Sequence, residues 1–121
     1  MTNGEMNTFI AEKVHGWHKE RIEFGVGKRW IWFDASGEKQ ISVRSYSPAT
    51  NVAQAIEAAK VWRGQDAASR SWVVRSPCDG IEAFYVATLG ILTTAKCAGA
   101  ETPALAICDA LVKAVSDDLA R

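Results

Sequence analysis

A surplus of charge of either sign is missing from this sequence: 14 Lys and Arg face 14 Asp and Glu in 121 residues. Phosphate neutralisation supplies most non-specific nucleic-acid affinity, so a DNA-coating protein normally carries a large positive excess. Composition therefore excludes that role. Long apolar runs are missing too. The longest weakly polar stretch, residues 83–95, is interrupted by Gly90 and falls short of the ~18 apolar residues of a membrane span. Residues 1–8 are polar, so no secretory leader is expected. Cysteine is scarce: Cys78, Cys97 and Cys108 are odd in number and contain no C-x-x-C pair. A disulfide framework and a zinc site are both disfavoured, and reduced, cytoplasmic thiols are the expectation.

Catalytic patterns are absent as well. Gly25-Val26-Gly27 precedes a strand, whereas a phosphate-cradling loop leads from a strand into a helix. His15 and His18 stand near Glu12, but no second ligand cluster completes a metal set. No recognisable base accompanies Cys97 or Cys108, and Cys108 falls on an inner helix stripe where a thiol acts as a small hydrophobe. Asp109, Asp117 and Asp118 read as solvated helix carboxylates. The expectation is a protein that is not an enzyme, with no cofactor and no metal.

What is present is apolar bulk: 48% hydrophobic residues, five of them Trp, enough for a packed core in one domain spanning residues 1–121. Met6, Phe9, Ile10, Val14 and Trp17 recur in steps of three and four, marking a first helix that weakens at Gly16 and is capped by Thr2 or Asn3. Residues 29–33 are aromatic and β-branched, apolar on both faces, and read as a central strand. Residues 41–46 alternate as its hairpin partner across the turn 34–37. Ser47 and Pro48 are expected to open a second helix, with Val52, Ala55, Ile56, Ala59 and Trp62 facing inward. A polar linker, 64–70, leads to strands at 72–75 and 83–89, separated by turn chemistry at 76–80. Residues 90–96 either extend the last strand past a bulge or form an irregular return. Thr102 and Pro103 start a closing helix with Leu105, Cys108, Leu111 or Val112, Val115 and Leu119 inside. The predicted fold is α+β: a mainly antiparallel four-stranded sheet packed with three helices in the order α-β-β-α-β-β-α, resembling an α/β/α sandwich.

Three segments resemble the phage ABA sandwich domain family: Phe9-Ile10-Ala11-Glu12-Lys13-Val14-His15-Gly16-Trp17 its opening helix, Tyr46-Ser47-Pro48-Ala49-Thr50-Asn51-Val52-Ala53-Gln54-Ala55 the start of its second helix, and Ala100-Glu101-Thr102-Pro103-Ala104-Leu105-Ala106-Ile107-Cys108-Asp109-Ala110-Leu111 its closing helix. Trp30-Ile31-Trp32 falls where the family carries an aromatic strand. Two positions depart from the pattern: His15 replaces an apolar residue, and Asn51 stands where an acidic cap is common. The resemblance implies a phage or prophage source and a sheet covered by helices. It implies no reaction, because the matching residues are those that shape helices.

Five indoles are hard to hide completely in a chain this small. Trp17, Trp62 and Trp72 are expected in the core. The candidate binding residues are Trp30, Trp32, Arg44, Tyr46, Trp72 and Arg75, because aromatic and Arg groups together suit protein hot spots and base stacking beside a phosphate. Arg29 and Arg63 are further cations that a Trp-lined groove would use. If Trp30 lies in a central strand, Trp30→Ala should cost about 3–5 kcal/mol. The expected function is that of a small non-catalytic phage accessory protein that binds a host or phage protein, an anti-defence inhibitor being the leading example. The alternatives are a protein that sequesters a small signalling nucleotide, which requires Arg44 or Arg75 to converge with a Trp or Tyr on one cavity, and a virion or assembly component. A possible homo-oligomer follows from strand edges and spare apolar surface.

Overall fold

The computed structural model describes residues 1–75, 85–91 and 94–119. Helix α1, Asn3–Phe9, is capped by Thr2, whose hydroxyl accepts from the Glu5 amide while the Glu5 carboxylate accepts from the Thr2 amide. This reciprocal box satisfies two orphan donors of the first turn. The helix then widens into a π-helical turn, Ile10–Val14, and closes at Gly16 with φ +72°. Of the predicted stripe Met6, Ile10 and Val14 are buried and Phe9 and Trp17 half-buried, and Ala11 joins the buried set.

Strand β1, His18–Phe24, follows immediately and pairs antiparallel with β2, Gly27–Phe33. Gly25, at φ +51°, makes the two-residue reversal with Val26, a left-handed conformation that glycine adopts without a Cβ penalty. β3, Lys39–Ser42, pairs with the other edge of β2. Asp34 organises the β2–β3 turn: its carboxylate accepts from the Ser36 and Glu38 amides and from the Gln40 side chain.

Helix α2, Val52–Gly64, begins later than Ser47 and Pro48 suggest. Asn51 is its cap, with the side-chain oxygen accepting from the Gln54 amide. Ser47 instead starts a separate turn that buries Pro48 and Ala49. Ala55, Ala58, Ala59 and Trp62 point inward. Strand β4, Arg70–Arg75, alternates: Trp72 and Val74 pack on the core, whereas Val73 is exposed.

Strands β5, Tyr85–Ile91, and β6, Thr94–Ala100, complete a second sheet in the order β4-β5-β6, all antiparallel. The question left at 90–96 thus resolves into the end of one strand and the start of another. The expected turn at 76–80, with Cys78, and the first two residues of the strand expected at 83–89 lie outside the described residues. Helix α3, Pro103–Leu119, is started by Thr102, whose hydroxyl accepts from the Leu105 amide. Cys108 and Val115 are buried as expected, but Leu119 is exposed.

The architecture is α+β with three α-helices among the described residues, and it corrects the predicted sheet. Among the described residues six strands form two three-stranded antiparallel sheets, β1-β2-β3 and β4-β5-β6, where four strands in one sheet were expected. Helix α3 is the hub. It packs against β4, β5 and β6, against α2, and against α1 with its π turn. Helices α2 and α3 are in contact, and both contribute buried alanines to the core, Ala55, Ala58 and Ala59 from α2 and Ala104, Ala106, Ala110 and Ala114 from α3; such small side chains let helix axes approach closely. Trp32 and Tyr46 close the core from the first sheet and the segment after it.

Candidate functional site

The β1–β2 hairpin is longer than the core beneath it. Register pairs Lys19 with Trp32, Arg21 with Trp30 and Glu23 with Lys28, and directly opposed residues share a face. Trp32 is 1% exposed and Trp30, on the same face two residues earlier, is 49% exposed. The hairpin therefore leaves the core between these two indoles. β2 is the central strand of its sheet and is covered on both faces at Ile31 and Trp32, 3% and 1% exposed, as the sequence suggests, but Trp30 lies beyond that covered stretch.

Cations surround the exposed indole. The Lys19 ammonium sits 5.5 Å from the Trp30 ring centre, within cation–π range. Arg21 lies directly across the strand pair. A groove of about 380 Å³ runs beside Trp30 and is lined by Lys28, Arg29, Ser42, Val43, Arg44 and Ser45. The Val43 amide donates to the Trp30 carbonyl at 3.0 Å, holding the chain after β3 against β2. Within this face Lys28 pairs with Glu23 at 3.5 Å, and exposed pairs of this kind contribute little stability.

The segment carrying Arg44 is pinned by two amides. The Gln54 carbonyl oxygen accepts from the Ser47 amide at 2.6 Å, and its NH2 donates to the Ser45 carbonyl at 3.1 Å. Asn7 of α1 accepts from the Ala49 amide at 3.0 Å and donates to the Ser47 hydroxyl. A shallow concavity of about 250 Å³ on this side contains Trp32, Val43, Arg44 and Tyr46.

Of the six predicted site residues, the structure brings Trp30 and Arg44 together on an accessible groove. Trp32 and Tyr46 lie nearby but are buried, at 1% and 4% exposure, and belong to the core. Trp72 is half-buried and Arg75 exposed on β4, in the other sheet. Arg63 is exposed on α2 and is not part of the groove. Lys19, Arg21 and Lys28 were missed by sequence reasoning. Lys28 was signalled by its place two residues before Trp30, but Lys19 and Arg21 belong to a strand that the pattern did not announce.

A second concavity, of about 540 Å³, lies at the end of the first helix and is lined by His15, Trp17, Asp34, Gln40, Ile41, Tyr46, Gln54, Glu57 and Val61. The π turn and Gly16 set His15 and Trp17 face to face, ring centres 4.1 Å apart and 12° from parallel. Tyr46 meets both rings edge-on, and its hydroxyl shares a hydrogen bond of 2.9 Å with His15 Nε2. Burial pushes the His15 imidazole down to about 4, against the opposing pull of Glu57. Burial likewise raises the Tyr46 phenol well above its usual range. His18 is elsewhere, stacked on Phe33 with ring centres 6.0 Å apart. Among the described residues no group of His, Cys, Asp and Glu could hold a metal ion. Asp118 is engaged by Arg70 at 3.3 Å. No helix among them is long and apolar enough to cross a membrane.

No protein-family model matches the sequence, and no curated protein matches it. Among solved structures the chain is similar to a phage protein from Bacillus cereus ATCC 14579, with a TM-score of 0.58 and 18% sequence identity over 91% of this chain and 88% of that one. The fold is thus one that a phage protein also adopts.

Proposed function

We propose that this chain is a small, non-catalytic phage or prophage accessory protein of the ABA sandwich type. It acts in the bacterial host cytoplasm by binding a host or phage protein through the Trp30 face of its β1–β2 hairpin. An inhibitor of a host defence system is the role that this description fits best. The carrying observation is the exposed Trp30, 49% accessible among Lys19, Arg21, Lys28, Arg29 and Arg44. Trp and Arg are both among the residue types enriched at interface hot spots. The fold shared with a phage protein supports the source. The cations favour an acidic partner surface and fast, salt-sensitive encounter. Edge strands β1 and β3 support homo-oligomerisation as an accompanying property.

A second reading has one specific observation behind it. Trp30 and Arg44 converge on a single groove, as a sequestering site for a small signalling nucleotide requires: a ring to stack the base and a fork for the phosphate.

Recovery of tagged protein from host lysate tests both readings. The first expects a stoichiometric protein partner that is lost with Trp30→Ala. The second expects no protein partner and a nucleotide that quenches Trp30 fluorescence in titration. Retention of the same partner by a folded Trp30→Ala variant would falsify the hairpin face as the binding surface.

A further inference from the structure

We propose that the cleft between the first helix end and α2 is a binding site for a small organic cation with an apolar body, separate from the Trp30 face. Its walls supply two carboxylates, Asp34 and Glu57, and no Lys or Arg. The chain as a whole balances 14 cations with 14 anions, so a cavity edged by acids alone is a local segregation of charge. Its volume of about 540 Å³ lies within the span of small-molecule sites, roughly 300–1,000 Å³.

The apolar part of the lining is Trp17, Ile41, Tyr46 and Val61. Trp17 and Tyr46 are held edge to face at 5.1 Å, and His15 backs the indole by stacking on it. Aromatic faces attract a cation through their quadrupole, and more strongly where water is reduced. The third ring adds no competing charge, because burial keeps the imidazole neutral at ordinary pH. Asp34 is fixed as an anion by the Ser36, Glu38 and Gln40 donors that hold it below the usual carboxylate range. Glu57 stands on the exposed side of α2, and its charge is felt at both His15 and Tyr46. The site is thus preorganised: the rings come from a π turn, a positive-φ glycine and the pinned 45–49 segment, and the acids from a hydrogen-bonded turn and a helix.

The probe is benzamidinium chloride, with sodium benzoate and neutral benzamide as shape-matched controls at equal ionic strength. The readout is the tryptophan indole N–H spectrum of the full chain. Benzamidinium is expected to shift the Trp17 signal saturably at millimolar concentration, with each control binding at least about fivefold more weakly. Glu57→Gln, a change at an exposed position, should weaken benzamidinium at least about fivefold, and Trp30→Ala should leave it unchanged. The proposal is overturned by equal affinity for benzoate or benzamide, by no saturable shift up to about 20 mM probe, or by a Glu57→Gln variant that binds as the parent does. Because the readout is at Trp17, its failure leaves the Trp30 proposal untouched, and the reverse also holds.

Discussion

His15 Nε2 lies 2.9 Å from the Tyr46 hydroxyl, and this contact ties the end of the first helix to the segment leading into α2. The imidazole is held neutral there, pushed down to about 4 by burial. An unfolded chain binds that proton near pH 6.5, so between about 6.5 and 4 the unfolded state takes up a proton that the native state refuses. The contribution of this group should be level above pH 6.5, fall by on the order of 2 kcal/mol as pH drops to 4, and lose little further below that. The roughly 3 kcal/mol of the full shift is reduced because water reaches part of the ring. Urea unfolding at stepped pH checks this. His15→Gln should flatten the slope in that window, and an unchanged slope in the variant would assign the effect to other groups.

Trp30 and Trp32 should separate on stability although they share a strand and a face. Trp32→Ala removes a buried indole and should cost about 3–5 kcal/mol. Trp30→Ala should cost below about 1 kcal/mol. Denaturant midpoints of the two variants decide it, and comparable losses would place Trp30 in the core.

Arg70 should behave as a structural clamp. Its guanidinium donates to the Trp62 carbonyl at 3.0 Å and to Gln65 at 3.1 Å, pairs with Asp118 at 3.3 Å, and lies over the Trp62 ring. It thereby joins the end of α2 to the end of α3. Arg70→Ala should cost about 2 kcal/mol, and Arg70→Lys should recover only part, because an ammonium lacks the fork that meets several acceptors. Equal stability of the parent and Arg70→Ala would show that the clamp is dispensable.

Much of this architecture was legible in the spacing of apolar residues. Each helix has a core-facing stripe, so the period near 3.6 located all three. β1 was not legible because one face is wholly polar and along the other the sequence turns apolar only at its end, at Ile22 and Phe24: His18, Lys19, Glu20, Arg21 and Glu23 are all exposed. A strand held by pairing to its neighbour, with no core beneath it, carries no alternating signal. β6, Thr-Ala-Lys-Cys-Ala-Gly-Ala, is similarly weak in β-branched residues. Pro48 misled because proline suits a first helical position and a tight turn equally, and Asn51 supplied the cap. The pairing of Trp30 with Arg44 was foreseeable as a residue type. That the hairpin outruns the core between Trp30 and Trp32 was not, since periodicity reports a face and not where the core beneath it ends.

Cys108 should be inert while the protein is folded. Burial pushes its thiol up to about 12, and the thiolate is the reactive form. Native protein treated with iodoacetamide at pH 8 should leave the Cys108 peptide unmodified, whereas unfolded protein should be alkylated there. Rapid native labelling would mean that α3 opens readily.

The most direct measurement compares tagged parent protein with a Trp30→Ala/Arg44→Ala variant, both recovered from host lysate and weighed by native mass spectrometry. The parent should carry one protein partner at fixed stoichiometry, and the variant, with an unchanged urea midpoint, should carry none. A folded variant that retains the same partner would contradict the assignment of binding to the Trp30 face.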